Sequence, residues 1–152
     1  MIQTPRAITF DCWSTLLYEE SWTIAHGLRV DALVRAAEAV GCEVDAKTAG
    51  RAFDAAWHRH IVMWESGAAS GATEVAHWAL AELRLPPHGS NLAQLVRDFE
   101  EASHSGRVLA LDGARDAVHA IAAAGIRMAL ICDTGLTPGR VVREFLDKHE
   151  ML

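Results

Sequence analysis

A chain of 152 residues, 51% hydrophobic and 22% charged, is long enough for one domain, or for one core with a modest insertion, and is too apolar for a disordered tail. Its net charge of −6 comes with no basic run, which argues against nucleic acid or anionic membrane as the main partner. The three cysteines, Cys12, Cys42 and Cys132, are odd in number, far apart and outside any CxxC pair, so a reducing cytoplasm fits better than a disulfide framework.

The stretch Met1 to Arg6 lacks a charged head followed by a long apolar run, so no signal peptide is expected. No apolar run approaches the roughly 18 residues needed to span a bilayer. A soluble, cytoplasmic protein is the expectation.

Arg6 to Phe10 predicts a short buried strand, because Ala7-Ile8-Thr9-Phe10 is apolar and partly β-branched. It runs straight into Asp11, and Asp11 to Thr15 reads as a loop. From about Ser21 to Ser105 the pattern is helical. Leu28, Ala32, Leu33, Ala36, Ala37 and Val40 recur at three- and four-residue spacing, with Gly41 as the stop. Asp45 is placed to cap a second helix carrying Ala49, Phe53, Ala56, Trp57, His60, Ile61 and Trp64. A small-residue loop follows from Ser66 to Thr73. A third helix opens at Thr73-Glu74 and ends at Pro86-Pro87. Ser90 or Asn91 caps a fourth through Leu92, Leu95, Val96 and Phe99.

After Gly106 the grammar changes. Asp112-Gly113 turns into a helix with Ala114, Ala117, Val118 and Ile121 on one face, closed by Gly125. Ile126 to Cys132 is a second buried strand. Asp133 to Leu136 is a loop, and Thr137-Pro138 is a cap followed by a first-turn proline. The last helix runs through Val141, Val142, Phe145 and Leu146.

This order predicts an α/β fold, with two strands in parallel and a small four-helix bundle inserted after the first. The expected division is 1–18 with 106–152 as the core and 19–105 as the insertion. Two parallel strands alone make a poor sheet and leave open edges. Either the sequence is a fragment, the favoured expectation, or a homodimer or other partner completes the sheet.

Chemistry concentrates on Asp11. An apolar strand delivers this carboxylate to the carboxyl end of a parallel pair, where open α/β sheets bind ligands. A carboxylate there can attack an electrophile and form a covalent intermediate. The loop N–H groups and the hydroxyls of Ser14 and Thr15 could hold an anionic group; a plain loop-capping aspartate is the competing reading.

Phe10-Asp11-Cys12-Trp13-Ser14-Thr15-Leu16-Leu17 resembles the first motif of the haloacid dehalogenase-like (HAD) hydrolases, a strand followed by Asp-x-Asp-x-Thr. Gly113 to Cys132 resembles the approach to that family's second motif, whose strand ends in Ser or Thr. The helical stretch between them is similar to the family's α-helical cap. The resemblance covers essentially the whole chain. It implies a Rossmann-like, doubly wound parallel sheet, incomplete here, with a four-helix cap and a site in the cleft between cap and core. It implies Asp11 as nucleophile and Thr15 as its hydroxyl partner, with Cys12, Trp13, Ser14, Cys132, Asp133 and Thr134 against a small organic substrate. It also implies Mg²⁺, held by Asp11 and the Trp13 backbone carbonyl.

The departures from the family pattern direct the chemistry. Trp13 stands where phosphatases carry their general acid/base and cannot move a proton in that role. That leans away from phosphomonoester hydrolysis, and toward carbon–halogen chemistry or an inactive binding module. Ser14 stands where Gly is common and restricts the loop. Cys132 falls in the Ser/Thr register with only a weak donor, so Thr134 is the alternative. The third and fourth motifs, a Lys and an acidic pair, have no counterpart; Lys148 lies in a helix and out of context. One carboxylate makes a weak Mg²⁺ site.

Other clusters read as structural. His58-x-His60 with Glu65 does not share a helix face, so packed or solvated histidines are expected. Trp57, Ile61 and Trp64 read first as a core stripe and second as a substrate-facing wall. Gly135 to Gly139 has no nucleotide-binding spacing. A thiol-based activity at Cys12 is a further alternative.

Overall fold

The computed structural model describes residues 5–87 and 89–152. The reading of Met1 to Thr4 and the capping role given to Ser90 lie outside the described residues and side chains. In chain order the elements are β1 (Ala7–Phe10), β2 (Leu17–Ser21), α1 (Thr23–Glu38), α2 (Ala46–Glu65), α3 (Ala72–Glu82), α4 (Gly89–Glu101), a 3-10 turn (Ala102–Ser105), β3 (Arg107–Ala110), α5 (Ala114–Ala123), β4 (Arg127–Leu130) and α6 (Gly139–Lys148). They form two compact units. One comprises residues through Ser21 with Arg107–Asp133 and Gly139–Leu152; the other comprises Trp22–Gly106 with Thr134–Pro138.

In the first unit β1 and β4 pair in parallel, from Ala7 opposite Arg127 to Phe10 opposite Leu130. The Ile131 N–H donates to the Phe10 carbonyl at 2.8 Å and carries the ladder one step further. The strands are less buried than the sequence suggests. Ala7, Thr9 and Ala129 are exposed, and Ile131 keeps 67% of its surface. Two parallel strands cannot cover both of their own faces, so one face stays open. α5 packs against β4, and α5 and α6 bury Ala114, Val118, Val141, Val142, Phe145 and Leu146.

β2 and β3 were not foreseen. They pair antiparallel, with Leu17 opposite Ala110 and Glu19 opposite Val108, and the register shifts before Ser21 opposite Arg107. β2 leads into the helical insertion and β3 follows it. Only Leu17 in β2 is buried, so no alternation marks the strand. Glu20 forms an ion pair with Arg107 across this pair.

The second unit packs α1 to α4 around Leu33, Phe53, Val75, Leu80, Leu95 and Phe99. Phe53 and Phe99 meet edge-to-face at 5.4 Å. Asp45 caps α2 as expected, its Oδ1 accepting from the Thr48 N–H at 2.6 Å. Gly41 and Gly125 stop α1 and α5 in the left-handed region. The apolar face of α2 is Ala49, Ala52, Phe53, Ala56 and His60. Trp57 and Trp64 therefore fall beside the seam and are 37% and 55% exposed, which corrects their reading as core. Leu28 is likewise exposed. The fourth helix begins at Gly89, so Asn91 lies inside it and does not precede it. α6 begins at Gly139, and the hydroxyl of Thr137, expected to cap it, is turned to Ser103. No described helix is long and apolar enough to cross a membrane.

Candidate active site

β1 ends at Phe10, and the next residues close into a tight turn on one carbonyl. The N–H groups of Thr15, Leu16 and Leu17 approach the Cys12 oxygen at 3.3, 2.9 and 3.0 Å, and the Ser14 N–H donates to the Leu17 oxygen at 2.7 Å. Ser14 holds φ of 59°, a left-handed position that is uncommon for a residue with a Cβ. The expectation that the loop amides cradle an anion is thereby corrected for Ser14 to Leu17, whose N–H groups are already spent within the turn. The hydroxyl-bearing residues Ser14 and Thr15 remain on the surface.

Asp11 is exposed at the carboxyl end of β1. The Thr15 hydroxyl donates to its Oδ2 at 3.4 Å, a long bond that ties the two ends of the turn together. Trp13, half-buried, bridges to Leu17. Asp11 to Thr15 thus lie on one turn, and the parallel ladder brings Cys132 and Asp133 beside it.

Cys12 has no exposed surface, and its thiol is pushed up to about 12, chiefly by burial, then by the charge and the thiol of Cys132, then by the charge of Asp11. Cys132, half-buried, is also raised, first by burial and then by the charges of Asp11 and Asp133; its contact with Cys12 works the other way. Its Sγ approaches the Asp133 carbonyl at 3.4 Å. A buried thiol with so little thiolate is a slow nucleophile at neutral pH, which counts against a thiol-based activity at Cys12.

Thr134 belongs to the helical unit, with Gly135 to Pro138. Leu136 is buried in the helical core, and its carbonyl accepts from Ser103 Oγ at 2.9 Å. Ser103 Oγ accepts in turn from Arg29 Nη2 at 2.8 Å and from the Thr137 hydroxyl at 3.3 Å. Arg29 Nε donates to the Phe99 carbonyl at 3.1 Å. Gly135, at φ of 50°, sits so close to His60 that a Cβ there would lie 3.2 Å from Nε2. His60 is buried, stacks on Trp57 at 4.7 Å and shares a 2.7 Å hydrogen bond between Nδ1 and Ser70 Oγ. The sequence reading missed this anchored loop. Its only signal was an apolar Leu136 among polar and small neighbours.

The residues that would hold Mg²⁺ fit it poorly. Asp11 supplies one carboxylate, and among the described residues no group of three His, Cys, Asp or Glu side chains could hold a metal ion. His58 and Glu65 are both exposed on α2.

No family model and no curated protein matches the chain. The chain is similar to a HAD family hydrolase from Deinococcus radiodurans R1 whose crystal structure holds bound phosphate and sodium, at 18% identity and a TM-score of 0.38. The match covers 97% of this chain and 53% of that one, so the chain spans about half the length of that hydrolase.

Proposed function

We propose that this chain carries the nucleophile half of a HAD-like hydrolase site, with Asp11 attacking a small organic substrate. The observation that carries the reading is an exposed Asp11 at the carboxyl end of a strand paired in parallel, with the Thr15 hydroxyl on its Oδ2. Oδ1 is then the attacking oxygen. On a 2-haloacid it displaces halide from carbon and leaves an aspartyl ester; on a phosphate ester it takes the phosphoryl group. Water then attacks the intermediate and regenerates the carboxylate. Halide leaves without a proton, so Trp13 does not obstruct the first course. An alkoxide leaving group needs an acid that Trp13 cannot be, which favours carbon–halogen substrates. Trp13, Ser14 and Cys132 line the substrate, and Asp133 borders it. Mg²⁺, if bound, would screen the anionic substrate beside Asp11 and the Trp13 carbonyl. The weak donor set means that no step depends on it here.

A binding module is the second reading, favoured by the same poor metal site and by Trp13. A turnover screen with 2-haloacids and phosphate monoesters separates the two, run on the parent and on Asp11→Asn. Loss of a covalent nucleophile should cost about a thousandfold or more in turnover. If the parent turns over neither class faster than the variant, the enzymatic reading is wrong.

A further inference from the structure

The ends of β1 and β4 carry more than the candidate nucleophile. Phe10 lies opposite Leu130, and the ladder continues past them through the Ile131 N–H on the Phe10 carbonyl. Two residues further along each strand stand Cys12 and Cys132, and two residues is the period that returns a side chain to the same face. The burial agrees. Phe10, Cys12, Leu130 and Cys132 are buried or half-buried, whereas Asp11 and Ile131 between them are exposed. Each thiol bears on the titration of the other, as neighbours across the ladder do. Neighbouring strands run about 4.8 Å apart, inside the 4.4–6.8 Å Cα spacing that a disulfide accepts.

We propose that Cys12 and Cys132 form a reversible disulfide that braces the ends of β1 and β4 next to Asp11, with peroxides as the oxidant class. The inference stands on the strand register and does not depend on the hydrolase reading. The half-buried Cys132 sulfur, as thiolate, attacks the peroxide O–O bond, giving a sulfenic acid and releasing one water or alcohol. Cys12 sulfur then attacks the sulfenic sulfur; the S–S bond forms and hydroxide leaves, taking the Cys12 proton away as water. Two thiols and one hydrogen peroxide become one disulfide and two waters. Burial keeps both thiolates scarce at neutral pH, so the reaction is slow there and accelerates as pH rises. Cys42, exposed in the helical unit and on neither strand, serves as the internal control.

The test is peptide mapping of the native chain after hydrogen peroxide, without reductant. Tryptic cleavage places Cys12 on Ala7–Arg29 and Cys132 on Met128–Arg140. The expected product is these two peptides joined, two mass units below their sum, and separable again with dithiothreitol. Cys132→Ser and Cys12→Ala should each abolish the joined species. The oxidised parent should also melt about 10 °C or more above the reduced one, since the bridge closes a loop of over a hundred residues. Should Cys132 accumulate as sulfinic acid while Cys12 stays a free thiol, the pair does not bridge and the proposal fails. Linkage through Cys42 instead would overturn it equally.

Discussion

Replacing Ser103 by Ala tests whether the loop after β4 is truly built into the helical unit. Ser103 has no exposed surface, and its hydroxyl joins Arg29 Nη2, the Leu136 carbonyl and the Thr137 hydroxyl. Alanine leaves the Leu136 carbonyl short of a buried donor, at about 1–3 kcal/mol, and strips an acceptor from a buried guanidinium, which costs more. Arg29 retains its bond to the Phe99 carbonyl and its position 5.9 Å over the Trp22 ring, which limits the loss. The expected cost is about 3–5 kcal/mol in the stability of the helical unit. Urea unfolding followed by tryptophan fluorescence reads mainly this unit, because four of the five tryptophans, Trp22, Trp57, Trp64 and Trp78, lie in it. The midpoint should fall by about 1 M or more at an unchanged slope. The double variant Arg29→Met with Ser103→Ala removes both ends of the buried bond and should cost less than the sum of the two singles. A Ser103→Ala cost below about 0.5 kcal/mol, or strictly additive singles, would refute the reasoning.

Gly106→Ala should destabilise the same unit by about 1–3 kcal/mol through overpacking. Its Cβ would lie 2.0 Å from Trp22 Cζ3 on a rigid ring, and Trp22→Leu in the same chain should restore the melting temperature. The cap on α2 should weaken in acid. The Thr48 amide and hydroxyl hold the Asp45 carboxyl below its usual range, so its contribution is present above about pH 4 and lost as pH falls through the lowered value. Asp45→Asn should flatten that part of the pH–stability curve, and an unchanged acid limb would count against the cap. At the alkaline end the sign reverses. Both site thiols are raised, so folding favours their neutral forms, and stability should decline from about pH 9 toward pH 12. Iodoacetamide at neutral pH should label Cys42 well before Cys12, and equal rates would contradict the burial of Cys12.

What the sequence revealed of this site depends on how local each cause is. The β-branched run ending in Asp11 is a local signal, and the missing hairpin turn between it and Ile126–Cys132 was enough to place β1 and β4 in parallel. The β2–β3 pair has no such signal. Its partners are separated by the whole helical insertion, and β2 buries only Leu17. The tryptophans of α2 were misread for a different reason. Trp57 and Trp64 do repeat at helical spacing, but the buried face of α2 runs through Ala49, Ala52, Phe53, Ala56 and His60, and that seam leaves the large rings outside.

The same distinction governs the chemistry. Residue types predicted an anion cradle from a short polar loop, but a cradle depends on where amides point. Here three N–H groups converge on the Cys12 carbonyl, and the turn they make holds Ser14 in a left-handed conformation. That convergence draws Cys12 inward and leaves Asp11 on the open face, because successive residues of an extended chain alternate sides. One backbone arrangement therefore accounts for both the exposed carboxylate and the buried thiol beside it. It also separates their roles. The residue that the sequence offered as a rival nucleophile is the one whose burial keeps it protonated, and its inward direction is what brings it to Cys132.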